Sequence, residues 1–305
     1  MSVERVHYDE FAYFRDNADE AGIAWNGPPV VRRQRVAVDG ERSLSALVWG
    51  EGPPEIVLLH GGAQNAHTWD TVALALDRPL LAIDLPGHGH SDGGISGSLD
   101  VRDNARDIEV VVRALAPDAR MVVGMSLGGM TTLALADLAP DLVRRLVLVD
   151  VTPGVDGPKA QQITAFIDGP ETFPSFDELL ARTIEFNPTR TESSLRRGIL
   201  HNAMQLDDGS WVWRYRRITE PAGGTGAVRG HPDFSSLWDM LGATTMPLML
   251  ARGLLPQSVV DDADEAEVLR RRPDALIVHF ERAGHSIQGD QPVELAAALA
   301  EFCDR

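Results

Sequence analysis

Lysine is almost absent from this chain: Lys159 is the single one, and arginine supplies the rest of 28 basic residues against 45 acids. The formal net charge is −17. An acidic excess of that size repels polyanions and anionic lipid at long range, which argues against nucleic acid or a membrane surface as partner. The preference for arginine itself carries no chemistry. Cysteine is as scarce. Cys303, close to the last residue, is the only one, which excludes an internal disulfide and a thiolate metal centre. No apolar run approaches the roughly 18 residues of a membrane-spanning helix. Met1 to Glu10 is polar and acidic rather than signal-like. The expectation is a cytoplasmic chain that stays in solution without membrane insertion.

What is present suffices for one large core. At 305 residues and 44% hydrophobic content, one core can be buried with enough left for an inserted subdomain, although length alone suggests two domains. The stretch with most chemical content runs from Arg120 to Thr132. Met121, Val122 and Val123 suit a buried strand, and Met130 to Ala139 reads as a helix rich in Leu and Ala. Between them lies Gly124-Met125-Ser126-Leu127-Gly128. A serine on so sharp a strand-to-helix turn presents its hydroxyl above the sheet, and the flanking glycines spare the backbone a collision with a Cβ. The amide of Leu127, at a helix N-terminus, would face an oxyanion formed beside Ser126. The bland alternative, a chance glycine-rich turn, does not account for the strand before and the helix after.

Taken in order, Tyr8 to Gly22 reads as a short amphipathic helix, either a flap packed on the body or an oligomer contact, which leaves a homodimer open. Val30 to Val38 and Ser43 to Trp49 form strands joined by the hairpin signal Asp39-Gly40. Ile56 to Leu59 is an unbroken apolar run of the central parallel-strand kind, and it leads into His60-Gly61-Gly62. The amide of Gly62, or that of Ala63, could donate a second hydrogen bond to an oxyanion, or the turn is only a turn. His60 reads as a brace for this loop rather than a base. Ala66 to Leu76 is helical in pattern, Pro79 to Ile83 is a strand, Leu99 to Leu115 a long amphipathic helix, and Leu142 to Val149 a buried strand ending at Asp150. Such alternation predicts a parallel sheet with helices on both faces. Its ligands bind beyond the carboxyl ends of the strands.

His60-Gly61-Gly62, Asp84-Leu85-Pro86-Gly87-His88-Gly89-His90-Ser91, Gly124 to Gly129, and Gly284-His285 ahead of Asp290-Gln291-Pro292 together resemble the alpha/beta-hydrolase superfamily. The resemblance covers nearly the whole chain apart from the N-terminal helix and the middle insertion. It implies a mostly parallel eight-stranded sheet, with residues 30–151 and 244–305 as the core, 152–243 as a mainly helical cap, and 1–29 as an extension. In that family the Asp84 to Ser91 type of loop is structural. His88 and His90 are therefore read as loop residues, and no metal is assigned, since no third ligand stands near them at a familiar spacing.

Within the insertion, Phe176 to Phe186 and Ser193 to Met204 look helical, and Trp211 to Tyr215 suits a strand or an irregular lid segment. Trp211, Trp213, Tyr215, Phe234 and Trp238 could face an apolar substrate or form the cap's own core. Trp213, Trp238 and His201 are kept as pocket candidates. Gly223-Gly224-Thr225-Gly226 follows no strand and precedes no Gly-Lys-Ser, so it reads as a loop rather than a phosphate cradle. Pro247 to Ala251 and Ala275 to Phe280 give two more strands, and Asp262 to Arg271 and Pro292 to Phe302 two more helices.

His285, on the loop after the last strand, matches the family's catalytic base, and a neutral imidazole suits removal of a hydroxyl proton near pH 7. The acid departs from the usual pattern. Many relatives carry it after the strand ending near Ala251, yet here no carboxylate follows until Asp261 and Asp262, which look like the first turn of a helix. Some members hold it one strand earlier, where Asp150 stands. Asp150 is preferred, and Asp261 is the rival. The reaction expected is acyl transfer from a small, largely apolar ester, lactone or thioester, with Ser126 as nucleophile and the amides of Gly62 and Leu127 as oxyanion donors. No metal or organic cofactor is required. Carbon–carbon bond hydrolysis and perhydrolysis use the same constellation, and a non-catalytic ligand sensor would keep the fold without turnover.

Overall fold

The structure, a computed structural model, describes residues 5–93, 100–215 and 233–305. A short helix α1 (Phe14–Ala21) is closed by Gly22 in the left-handed conformation. The hairpin β1 (Val31–Ala37) and β2 (Ser43–Trp49) follows, then β3 (Ile56–Leu59). A 3-10 turn leads into α2 (Asp70–Leu76), β4 (Leu80–Ile83), α3 (Val101–Leu115), β5 (Met121–Met125), α4 (Leu127–Leu138) and β6 (Leu146–Val149). The insertion holds α5 (Gln161–Ile167), β7 (Thr172–Phe173), α6 (Phe176–Phe186), α7 (Glu192–Asn202), β8 (Ala203–Gln205), β9 (Trp211–Trp213) and α8 (Leu237–Ala243). The chain closes with β10 (Leu248–Gly253), α9 (Asp262–Arg271), β11 (Leu276–Phe280), α10 (Ile287–Asp290) and α11 (Pro292–Asp304).

Eight strands form one sheet in the order β1-β2-β4-β3-β5-β6-β10-β11. The β1–β2 and β2–β4 pairs are antiparallel, and every pair from β4 to β11 is parallel. The apolar run of β3 has a physical reason in its two covered faces. Val57 and Leu59 pack with α3 and α4, while Ile56 and Leu58 pack with α2 and α11. The same two-residue alternation repeats in β4, β5, β6 and β10, so each strand contributes side chains to both layers. Phe14 of α1 is buried against Trp49, so the N-terminal helix is packed on the body.

Four local expectations change. The helix expected from Tyr8 begins at Phe14. The strand expected from Leu142 begins at Leu146, because Leu142 is held in a turn by its amide to Ala139. The helix expected to reach Met204 stops at Asn202, and Ala203–Gln205 pairs with β9 instead. A three-stranded sheet, β7-β9-β8, thus stands inside an insertion expected to be mainly helical. Its small core gathers Phe173, Leu179, Leu195, Ile199 and Trp211. The segment Gly223 to Gly226 lies outside the described residues. Among the described residues, no helix is long and apolar enough to cross a membrane.

Candidate active site

The bend between β5 and α4 is as tight as the pentapeptide implies. Ser126 has φ 50° and ψ −120°, a region that costs a non-glycine residue of order 1–3 kcal/mol and is held only by its surroundings. Glycine is required on either side. A Cβ on Gly124 would lie 2.3 Å from the carbonyl oxygen of Gly128, and one on Gly128 would lie 2.4 Å from that of Leu59. Ala63 (φ 59°) and Asp150 (φ 45°) are also left-handed. Three strained residues therefore follow the carboxyl ends of β3, β5 and β6.

Asp150 is fully buried and surrounded by donors. Its Oδ1 accepts from the Gly253 amide (2.9 Å) and the Ser258 hydroxyl (2.6 Å). Its Oδ2 accepts from the Val259 amide (3.1 Å) and lies 2.9 Å from His285 Nδ1. A carboxylate has about four lone-pair sites, and all are used, which is the condition for keeping such a charge out of water. With Oδ2 accepting, His285 carries its proton on Nδ1, and Nε2 presents a lone pair.

Asp261 stands elsewhere. It is the N-cap of α9, accepting from the Asp264 amide in a reciprocal capping box, and it forms an ion pair with Lys159 at 3.0 Å. Helix capping and the Lys159 ammonium draw its pKa below the usual carboxylate value, against a desolvation effect that would raise it. The end of β10 and the loop after it, where many relatives keep the acid, instead supply three donors to Asp150, Gly253 from the strand and Ser258 and Val259 from the loop.

The loop after β3 is equally determined. Leu85 donates its amide to His60 Nε2 at 2.9 Å, so His60 Nδ1–H donates to the Gly61 carbonyl at 2.7 Å. Burial pushes the His60 pKa down to about 3. Ala63 donates to His88 Nε2 (3.2 Å), and Gly61 donates to Gln64 Oε1 (3.1 Å). Of the two oxyanion donors that the sequence leaves open, the Ala63 amide is thus engaged, and no acceptor is found for Gly62 among the described residues. Leu127 is the first residue of α4, so its amide has no partner within the helix.

Gly62, Ser126 and His285 line one cavity of about 910 Å³. The insertion contributes Ile163, Phe166 and Trp213 to its wall, with Trp213 edge-on to Phe166 at 5.5 Å. His201 also reaches it. Trp238 does not line it: its ring packs on the core beside α4 and lies under the Arg271 guanidinium, because α8 docks there by burying Leu237 and Leu241. Trp211 is buried in the insertion's own core. Sequence reasoning did not single out Ser258, Val259 and Gly253 as donors to Asp150. Their available signal was the absence of a carboxylate between the end of β10 and Asp261.

Residues 56–298 match the model of the alpha/beta hydrolase family, and the chain belongs to that family. Among known proteins, the esterase Rv0045c of Mycobacterium tuberculosis is 46% identical over 309 residues, spanning 99% of this chain and 98% of its own. A solved structure of that esterase, from work on its transition metal inhibition, matches with a TM-score of 0.82 at 44% identity, covering 98% of this chain and all of the other (100%). The 2-(acetamidomethylene)succinate hydrolase of Mesorhizobium japonicum is 27% identical over 268 residues, 87% of this chain and 93% of its own.

Proposed function

We propose that this chain is a serine ester hydrolase with Ser126 as nucleophile, His285 as general base and acid, and Asp150 as the group that orients the imidazole. The observation carrying this reading is the His285 Nδ1–Asp150 Oδ2 contact of 2.9 Å, made by an imidazole that lines the same cavity as a serine on a strained bend. With Nδ1–H committed to Asp150, Nε2 is the nitrogen that takes the Ser126 proton as Oγ attacks the ester carbonyl. The amides of Gly62 and Leu127 receive the charge that develops on the carbonyl oxygen. His285 then returns the proton to the departing alcohol, and water cleaves the acyl-enzyme by the same path in reverse. The substrate class is a small, largely apolar ester, lactone or thioester, with Ile163, Phe166 and Trp213 against its apolar part.

This reading treats residues 30–151 and 244–305 as the catalytic core, 152–243 as the cap that shapes the cavity, and 1–29 as an extension. It also takes the protein to act in the cytoplasm on a free small molecule, in keeping with the charge of −17 and the single cysteine, without nucleic acid and either alone or as a homodimer. The test is labelling with a fluorophosphonate alongside a panel of acyl esters and lactones of graded size. Rapid labelling at Ser126, absent in His285→Ala, together with a turnover loss of at least about a thousandfold in Ser126→Ala, is expected. Full turnover in a folded Ser126→Ala protein would overturn the reading.

A further inference from the structure

His67 and His201 line the same cavity as Ser126, and with Asp70, which is paired with His67, they form a second group of titratable side chains that the proposed hydrolysis does not use. His67 lies in the 3-10 turn Ala66–Trp69, Asp70 is the first residue of α2, and His201 lies near the end of α7. All three are buried, and one ligand atom from each falls within 4.8 Å of the others. His67 Nδ1 stands 2.9 Å from Asp70 Oδ2, and His201 Nε2 is 3.9 Å from the same oxygen. His201 Nε2 and Asp70 Oδ1 are both buried with no hydrogen-bond partner. An interior rarely leaves two polar atoms unmatched side by side unless something else satisfies them.

We propose that His67, Asp70 and His201 form a binding site for a divalent transition metal ion that ties the cap to the core. Two imidazoles and a carboxylate are the donor set of zinc, cobalt, nickel and copper sites rather than of calcium or magnesium sites. Atoms bound tetrahedrally at about 2.0–2.2 Å lie about 3.3 Å apart, against 2.9 and 3.9 Å from Asp70 Oδ2 to the two imidazoles and up to 4.8 Å across the group. The two rings are stacked 3.9 Å apart and 13° from parallel. Closing the site therefore takes a turn of the His201 ring and release of the proton between His67 and Asp70.

The groups behind the ligands are those that metal sites use. A metal-bound histidine commonly donates its second ring proton to a fixed acceptor. His201 Nδ1 is 2.9 Å from the Tyr8 hydroxyl, and His67 Nε2 is 3.3 Å from Glu10 Oε2. Arg33 also faces His67, 3.2 Å from Nε2, but it is paired with Glu10 at 2.6 Å and Asp84 at 2.8 Å. Asp70 is left as the carboxylate facing both imidazoles. The ligands come from the core and the cap and their supports from the N-terminal segment, so an ion here would clamp three parts of the chain together.

The experiment adds cobalt(II) alone to the full chain and follows visible absorption and melting temperature. One equivalent should bind with the bands of a low-coordinate nitrogen–oxygen site and raise the melting temperature by a few degrees. Asp70→Asn and His201→Gln should weaken binding by more than about a hundredfold, and Tyr8→Phe, a milder change behind the ligand, by roughly tenfold. Circular dichroism checks that each variant folds, and Tyr8→Phe alone decides the matter if the other two do not. His285→Ala should bind as the unaltered protein does. Failure to take up one equivalent, equal affinity in all the folded variants, or loss of the bands in His285→Ala would each overturn the site.

Discussion

Asp150 is a charge kept wholly inside the protein, and its four contacts explain both how it survives there and what it does to its neighbour. Replacing it by Asn leaves the volume unchanged but turns an NH₂ group toward donors. Either His285 loses its acceptor, or the Gly253, Ser258 and Val259 donors do. Turnover of Asp150→Asn on a chromogenic ester should fall by about 10⁴, the scale of a lost tautomer, and its stability to urea should fall as well. Asp261→Ala separates the two carboxylates. It removes an N-cap, which costs about 1 kcal/mol in urea unfolding, and should leave turnover within about twofold, as expected for a side chain outside the relay. A large turnover loss in Asp261→Ala with none in Asp150→Asn would reverse the assignment.

At the scale of elements, the site depends on how closely β3, β5 and α4 approach. Gly128 sits against the backbone of Leu59 and His60, where a Cβ would fall 2.4 and 2.5 Å from their carbonyl oxygens. Neither strand can move without disturbing the buried layer behind it. Gly128→Ala should therefore destabilise by about 3 kcal/mol or more and displace Ser126, read as a lowered urea midpoint together with lost turnover. Gly198 offers the contrast. It lies within α7, and a Cβ there would meet nothing within 4 Å. Gly198→Ala should raise stability by roughly 0.5–1 kcal/mol through helix propensity alone.

For the whole molecule, acid is a predictable stress, because the site rests on buried neutral histidines. His60 is fully buried, with its folded pKa near 3 against an ordinary value of 6.5, and burial lowers His88 in the same direction. Above about pH 6.5 neither the folded nor the unfolded chain protonates His60, and it adds no pH dependence. Below that value the unfolded chain takes up a proton that the folded one refuses. Each pH unit should then remove about 1.4 kcal/mol for this group until about pH 3. Urea unfolding between pH 7 and 5 should show the decline, and His60→Asn should make it shallower. An equal slope in that variant would place the proton uptake elsewhere.

The same scales separate what could be read from sequence. The places of Ser126 and His285 were legible because each lies beside a strand end in a short motif whose glycines answer to local backbone crowding. The order and burial of the strands were legible for a similar reason, since an apolar run with both faces covered carries its environment in its composition. Which aspartate faces His285 was not legible in that way. Asp150 directly follows β6 and Asp261 lies several residues beyond β10, and only the tertiary structure brings Gly253, Ser258, Val259 and His285 around the first while the second caps α9. Trp238 and Trp213 belong to one aromatic series, and the docking of α8 on the core turns one ring away from the cavity that the other lines. His67, Asp70 and His201 are far apart along the chain. Local chemistry, written in neighbouring residues, is what the sequence determines by itself; which distant side chains share one buried space is settled only when the sheet, the insertion and the N-terminal segment close on one another.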